Sequence, residues 1–278
     1  MPQVTHHPAV GFAARLFDGS RSTAQEIEFG AANGFAAIQF RGDVDLNRPA
    51  GIQDPVAVGI ALRQNRLEPT MELLIALHVN GQAEDGRTAV EILQANLPVI
   101  ETLGIDLVHW HLYPTLFEDP ANGERLGSLL VDLCQQGVAF AHDHGFTLGI
   151  ENNPPWIHLL SGPDSCASLL QSVPGLRLVW DVNHSPTEHD EYFVDLAPHL
   201  SALHVSDTPR PEVNHHLPLG LGNIDTAAHV RAVIADGFQG PAVLEIGGLP
   251  ASGGYGLDTD DALVDSRQRL TAELHRKA

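Results

Sequence analysis

Four short apolar runs in the second half of the chain each end on a side chain that binds hard or borderline metal ions. They are LGIE at Glu151, RLVWD at Asp181, SALH at His204 and AVLE at Glu245. Each run has the length of a strand. Successive ligands lie 30, 23 and 41 residues apart, enough for a loop, a helix and the next strand. Neighbouring parallel strands ending in this way bring three carboxylates and one imidazole to a common mouth. That set suits a divalent cation with acid/base chemistry beside it. Strand alternation places Gly149, Val179, Ala202 and Val243 on the same faces as the four ligands, and small or branched residues of this kind fill a barrel interior. One such polar strand end, taken singly, caps a helix or sits in water. Four in consecutive units argue for a site.

Further candidates cluster around these four. His184 follows Asp181 at D-x-x-H spacing, on the loop just past the strand, where it can ligate a second metal or bind substrate. After His204 come Asp207 and Arg210, and Arg210 is suited to a substrate hydroxyl, carboxylate or phosphate. His216 precedes a turn with Gly220 and Gly222 that has the freedom to fold over the mouth. In LVHWHLYP, His109 and His111 share parity, and His111, nearer the strand end, is the better site residue. Glu72 and His78 are weaker candidates, because the register of their strand is not readable. His6, His7, His142, His144 and His189 read as ordinary surface or loop residues. Phe17, Gln39, Arg41, Trp110, Tyr113 and Trp156 suggest a compact, partly aromatic pocket.

The elements that must position these residues alternate eight times. Strands are expected over 10–17, 36–40, 67–74, 105–111, 146–151, 176–181, 201–205 and 241–246. Helices are expected over 22–33, 53–65, 86–103, 123–144, 161–172, 190–199, 225–236 and 259–276. Ser22, with Gln25 and Glu26 in the first turn, reads as a helix cap, and Asn33-Gly34 as a left-handed stop. Leu103-Gly104, Asp143-His144-Gly145 and Asp236-Gly237 punctuate later helix-to-strand joins in the same way. No low-complexity linker divides the chain, so residues 1–278 read as a single α/β domain, a closed (β/α)8 barrel. An open doubly wound sheet would more often carry a glycine-rich dinucleotide loop after its first strand, and RLFDGSRS is not one.

Composition narrows the partners. Among 278 residues there are 35 acidic and 15 basic side chains, a formal charge of −20, with no Lys/Arg run. Such a surface repels nucleic acid and anionic membrane. At 43% hydrophobic the chain can build a large core, yet no apolar run is long enough to span a membrane. Cys134 and Cys166, both in helical stretches, form no CxxC pair, so free thiols and a cytoplasmic location are expected. The N-terminus has no signal-peptide pattern.

Taken together, Glu151-Asn152, Asp181-x-x-His184, His204-x-x-Asp207-x-x-Arg210, His216-x-Pro218-x-Gly220-x-Gly222-x-x-Asp225 and Glu245 resemble the xylose isomerase-like TIM barrels. The motifs cover 147–246; the first half matches in its β/α rhythm. The superfamily contains sugar (phosphate) isomerases and epimerases of carbohydrate metabolism and the endonuclease IV branch. The epimerase branch implies one divalent metal (manganese, cobalt, magnesium or zinc) bound by Glu151, Asp181, His204 and Glu245. Glu151 and Glu245 would act as catalytic carboxylates on opposite faces of the substrate carbon, through a metal-stabilised enediolate. His184, Arg210, His216 and His111 would bind a small sugar, polyol or keto acid. Epimerases of this branch often carry another acid shortly after the fifth-strand Glu, and ENNPPWIHL has none, which keeps isomerase and keto-inositol dehydratase-like lyase chemistry open. The endonuclease IV branch instead implies a multi-metal phosphoester hydrolase with His184, His111 and His216 as additional metal ligands. It also implies an aspartate near position 214, which here is Asn214. A homo-oligomer is compatible with barrels of this kind, which often pair.

Overall fold

The computed structural model describes residues 8–15, 21–45, 52–248 and 250–275. Eight parallel strands close into a barrel in sequence order. They are β1 (Val10–Ala13), β2 (Ala37–Arg41), β3 (Glu68–Leu77), β4 (Leu107–Pro114), β5 (Thr147–Glu151), β6 (Arg177–Asp181), β7 (Leu200–Val205) and β8 (Ala242–Leu244). The helices between and after them are α1 (Thr23–Ala32), α2 (Pro55–Asn65), α3 (Ala89–Leu103), α4 (Pro120–Asp143), α5 (Pro163–Ser172), α6 (Asp190–Val194), α7 (Thr226–Ala235) and α8 (Asp260–Leu274). This is the (β/α)8 TIM barrel that the alternation implies.

Local chemistry sets the element ends. Ser22 caps α1 in a reciprocal capping box with Gln25, and Gly34 stops it at φ 72°. Glu26, expected to share in the cap, turns inward, fully buried between Arg15 and Arg21. Helix α4 starts three residues earlier than expected, at Pro120, because Asp119 accepts from the Ala121 N–H and proline suits a first helical turn. The helix expected over 190–199 stops at Val194. Pro198 is responsible: it lacks an N–H, and its ring would collide with the carbonyl four residues earlier, that of Val194. Strand β1 is assigned only to Ala13, and residues 16 and 17 of the expected strand, with Phe17, lie outside the described residues, as do His6 and His7.

Two layers of side chains separate cleanly. Outward residues such as Phe12, Phe40, Leu73, Trp110, Leu148, Trp180 and Leu203 pack against the helices in the main core. Leu107, Val179 and Ala202 form a separate buried cluster inside the barrel. The register shifts where Leu200 pairs with Leu178 and Ala202 with Val179, so Ser201 is an extra residue on β7. This bulge keeps Ala202 and His204 in step with Val179 and Asp181 on the inner face. Strands β3 and β4 run longer than expected because they pair as far as Leu77–Pro114, raising one side of the mouth. Among the described residues no helix is long and apolar enough to cross a membrane.

Candidate active site

At the C-terminal mouth of the barrel, Glu151 ends β5, Asp181 ends β6, His204 is the penultimate residue of β7, and Glu245 follows β8. One ligand atom from each lies within 4.8 Å of the others. His204 Nδ1 stands 3.3 Å from Glu151 Oε1 and 3.1 Å from Glu245 Oε2. Glu151, Asp181 and His204 are completely buried. Both Glu151 oxygens, Asp181 Oδ2 and His204 Nδ1 lack a hydrogen-bond partner. Buried polar atoms without partners are costly. One Glu151 oxygen, one from Asp181 and His204 Nδ1 converge with Glu245 on one small volume, and that carboxylate and imidazole chemistry fits a single divalent cation.

The electrostatics show the same demand for positive charge. Burial lowers the basicity of His204, but Glu151 and Glu245 outweigh it and hold the imidazole well above its usual pKa. Burial likewise opposes the charge on His111, yet Glu151 and Glu72 raise it to about 9. Glu151 is pushed up by burial and brought far below the usual carboxylate range by His111 and His204. Asp181 is raised to about 7, chiefly by burial. The carboxylates thus hold His111 and His204 toward their charged forms, and a divalent cation held in their midst would offset the same negative charge.

A surrounding shell fixes these groups. Asn152 accepts from the Asp181 N–H at 2.7 Å, and its carbonyl lies 2.8 Å from His184 Nδ1. That nitrogen must therefore carry the proton, which leaves Nε2 facing Asp181 Oδ2 at 3.3 Å. Asn183, fully buried, donates to Ser206 and to the Asp207 carbonyl and accepts from the His215 N–H, so it anchors the segment that carries His216. His216 Nδ1 donates to the Glu245 carbonyl, and its Nε2 meets Asn214 Oδ1 at 2.8 Å. His111 Nε2 meets Asn153 Oδ1, and its Nδ1 faces Glu151 and Glu72 at 3.4 and 3.6 Å.

Above the cluster opens a cavity of about 710 Å³. Arg41, Glu72, His111, His184, His216 and Glu245 line its polar part; Tyr113, Phe117, Trp156 and Ile157 form an apolar wall. A cavity of about 850 Å³ at the opposite end of the barrel holds none of the four ligands, and nothing there converges as at the mouth.

The structure departs from the sequence expectation at six points. Glu72 faces inward on β3, buried, and pairs with Arg41 at 3.2 Å, which places it in the cavity wall beside His111. His109, ranked below His111, is fully buried with Nε2 3.3 Å from Glu151. Trp110 points outward into the layer behind the barrel and is no part of the pocket. Arg210, expected to bind substrate, is not in the cavity wall. Its guanidinium is clamped by Asp190, with further bonds to Thr187 and the Val182 carbonyl. His78 is exposed and bonds Thr115. The Gly220–Gly222 turn does not close over the mouth: the Gly220 and Ile224 N–H groups bond back to Asp207.

Known proteins give the frame for this geometry. The structure aligns with a D-tagatose 3-epimerase-like protein at 18% identity and TM-score 0.72, covering 96% of this chain and 97% of that one. It aligns with an IOLI protein with a bound zinc atom at 18% identity and TM-score 0.74, again covering 96% and 97%. A 3-keto-D-glucoside 4-epimerase from E. coli matches at 16% identity and TM-score 0.71, over 96% of this chain and all of that one. At such identities these likenesses establish the fold. No curated protein matches the sequence significantly. The family model described as xylose isomerase-like TIM barrel matches residues 27–271, and the chain belongs to that family.

Proposed function

We propose that the protein is a divalent-cation-dependent isomerase or epimerase of a small sugar, polyol or keto acid. The observation that carries this reading is the convergence of Glu151 and Glu245 on His204 Nδ1, at 3.3 and 3.1 Å, beneath the mouth cavity. Glu245 lines that cavity, while Glu151 lies just below it against His109 and His111. Held by Glu151, Asp181, His204 and Glu245, a divalent cation supplies Lewis-acid polarisation of a substrate carbonyl. One of the two glutamates then removes the proton alpha to that carbonyl and the other returns it, with an enediolate between the two transfers. Glu245, open to the cavity, is the base that meets the substrate first. The His111, His184 and His216 rings face the same space and bind substrate oxygens. The aromatic wall covers the C–H faces of the substrate and limits water around the exchanging proton. Arg41 and Glu72 offer paired donors and an acceptor for further hydroxyls.

The family's multi-metal phosphoesterase chemistry receives less support. His216 Nε2 is met by the neutral amide of Asn214, where a carboxylate would be needed to help hold additional cations. The −20 charge also disfavours a nucleic-acid backbone. The test is solvent-deuterium incorporation into a panel of ketoses and keto acids by the metal-replete protein. Deuterium at carbon alpha to the carbonyl, absent in Glu245→Gln, supports the reading. Loss of water from the substrate redirects it to a lyase. Cleavage of phosphoesters without any exchange contradicts it.

A further inference from the structure

We propose that Gln39, on β2, is a positioning residue that sets the tautomer of His204 and thereby tunes divalent-cation binding. The inference rests on the metal-dependent reading above. His204 has two ring nitrogens, and in the neutral ring only one keeps a lone pair. Its Nε2 lies 2.9 Å from Gln39 Oε1. An amide oxygen only accepts, so Nε2 carries a proton, and the nitrogen left to offer a lone pair to a cation is Nδ1, which faces Glu151 and Glu245. Turning the amide over would place its NH2 against Nε2. The ring proton would then move to Nδ1, into the space where the four ligands converge.

Gln39 is well placed for this single task. It reaches across the barrel interior from β2 to β7, with β8 and β1 between them. It is 2% exposed, and its Nε2 has no partner. Among the described residues its side chain makes no hydrogen bond other than the one to His204. A buried amide with half of its capacity unused is costly, and Leu107, Val179 and Ala202 show that apolar residues suffice to fill the barrel interior. The amide is also neutral. It orients the ring without the added basicity that a carboxylate in its place would give the ligand.

The test compares wild type, Gln39→Met and Gln39→Glu by Zn2+ titration against a competing chelator, with thermal unfolding as the check on folding. Methionine keeps the volume and removes the acceptor; glutamate keeps the acceptor. The Met variant is expected to bind Zn2+ 10–100-fold more weakly, and the Glu variant at least as tightly as wild type. Nitrogen-15 spectra of the metal-free proteins should show a hydrogen-bonded, slowly exchanging His204 Nε2–H in wild type and Gln39→Glu, and a faster-exchanging one without that bond in Gln39→Met. Zn2+ affinity of the Met variant within twofold of wild type overturns the proposal. So does equal weakening in both variants, which would mark packing as the cause. If the Met variant does not fold, a weakened Glu variant overturns it. Failure of wild type to bind Zn2+ would instead strike at the metal reading, while the Nε2–H signal still tests the role of Gln39.

Discussion

Asp207 gives the sharpest quantitative test of how this barrel holds its mouth. It lies two residues past β7, 2% exposed. Its Oδ1 accepts from the N–H groups of Thr208 at 2.9 Å and Ile224 at 3.0 Å, and its Oδ2 from the N–H of Gly220 at 2.8 Å. One carboxylate thus ties the middle and the far end of the 217–224 loop to the chain just past β7. Bonds to a charged acceptor contribute on the order of 1.5–3 kcal/mol each when buried. Thr208 is buried, Ile224 is partly open to water and Gly220 is exposed, so the three together are worth about 3–5 kcal/mol. Asp207→Ala is expected to lower the unfolding free energy by that amount. Asp207→Asn keeps the oxygen for Thr208 and Ile224 but turns an NH2 toward the Gly220 N–H, and should cost about 1–2 kcal/mol. Gly222→Ala attacks the same joint from the other side, because its Cβ would sit 2.3 Å from the Thr208 carbonyl oxygen and 2.4 Å from Asp207 Oδ1. Backbone on one side leaves little room to relax, so about 1–3 kcal/mol is expected. Combined with Asp207→Ala the cost should be less than additive. Urea unfolding followed by tryptophan fluorescence measures the four variants against wild type. An Asp207→Ala protein within 1 kcal/mol of wild type, or an Asn variant as damaged as the Ala variant, would refute the reasoning.

Four further outcomes are expected. Glu151→Gln and Glu245→Gln should each abolish turnover while circular dichroism remains native, and normal activity in either would remove the assigned role. His204→Ala should lower divalent-cation affinity in a chelator competition, whereas Arg210→Lys should leave that affinity unchanged and reduce thermal stability, because Arg210 is engaged by Asp190. Burial pushes both the Cys134 and Cys166 thiols up to about 12, so a thiol reagent at pH 8 should label neither in the native protein and both in denaturant; fast native labelling would contradict their burial. Burial raises the Asp190 carboxyl, but bonds from His229 and Arg210 outweigh it and leave its pKa below the usual value. Its stabilising share is therefore present above about pH 4 and lost as pH falls through the folded-state value. The stability gap between wild type and Asp190→Asn should shrink on acidification below pH 4, and a gap that grows there would reverse the sign.

The convergence of Glu151, Asp181, His204 and Glu245 was legible because each ends a strand-length apolar run, and the spacing left room for one helix per gap. Parity was legible too. With His109 and His111 inward, Trp110 had to point outward, and counting it with the pocket ignored a signal that was present. The register of β3 was not readable, since EPTMELLIAL is apolar on both faces: Met71, Leu73, Ile75 and Leu77 meet the helices, while Leu74 and Ala76 face the mouth. Only pairing with β4, which sets Glu72 beside His109, shows that Glu72 belongs to the site. Arg210 shows a different limit. H-x-x-D-x-x-R spacing places a guanidinium on the right loop, but its partner Asp190 comes from the preceding unit, and no local pattern reveals that contact. The role of Gln39 is of the same kind, depending on a contact between residues 165 positions apart.

The proposed function stands on the three carboxylates and His204 forming one divalent-cation site. Elemental analysis of the purified, untagged protein after metal loading and gel filtration tests it most directly. One divalent cation per chain is expected in wild type, with a large loss in His204→Ala. No bound cation, or two or more per chain retained in that variant, would contradict it.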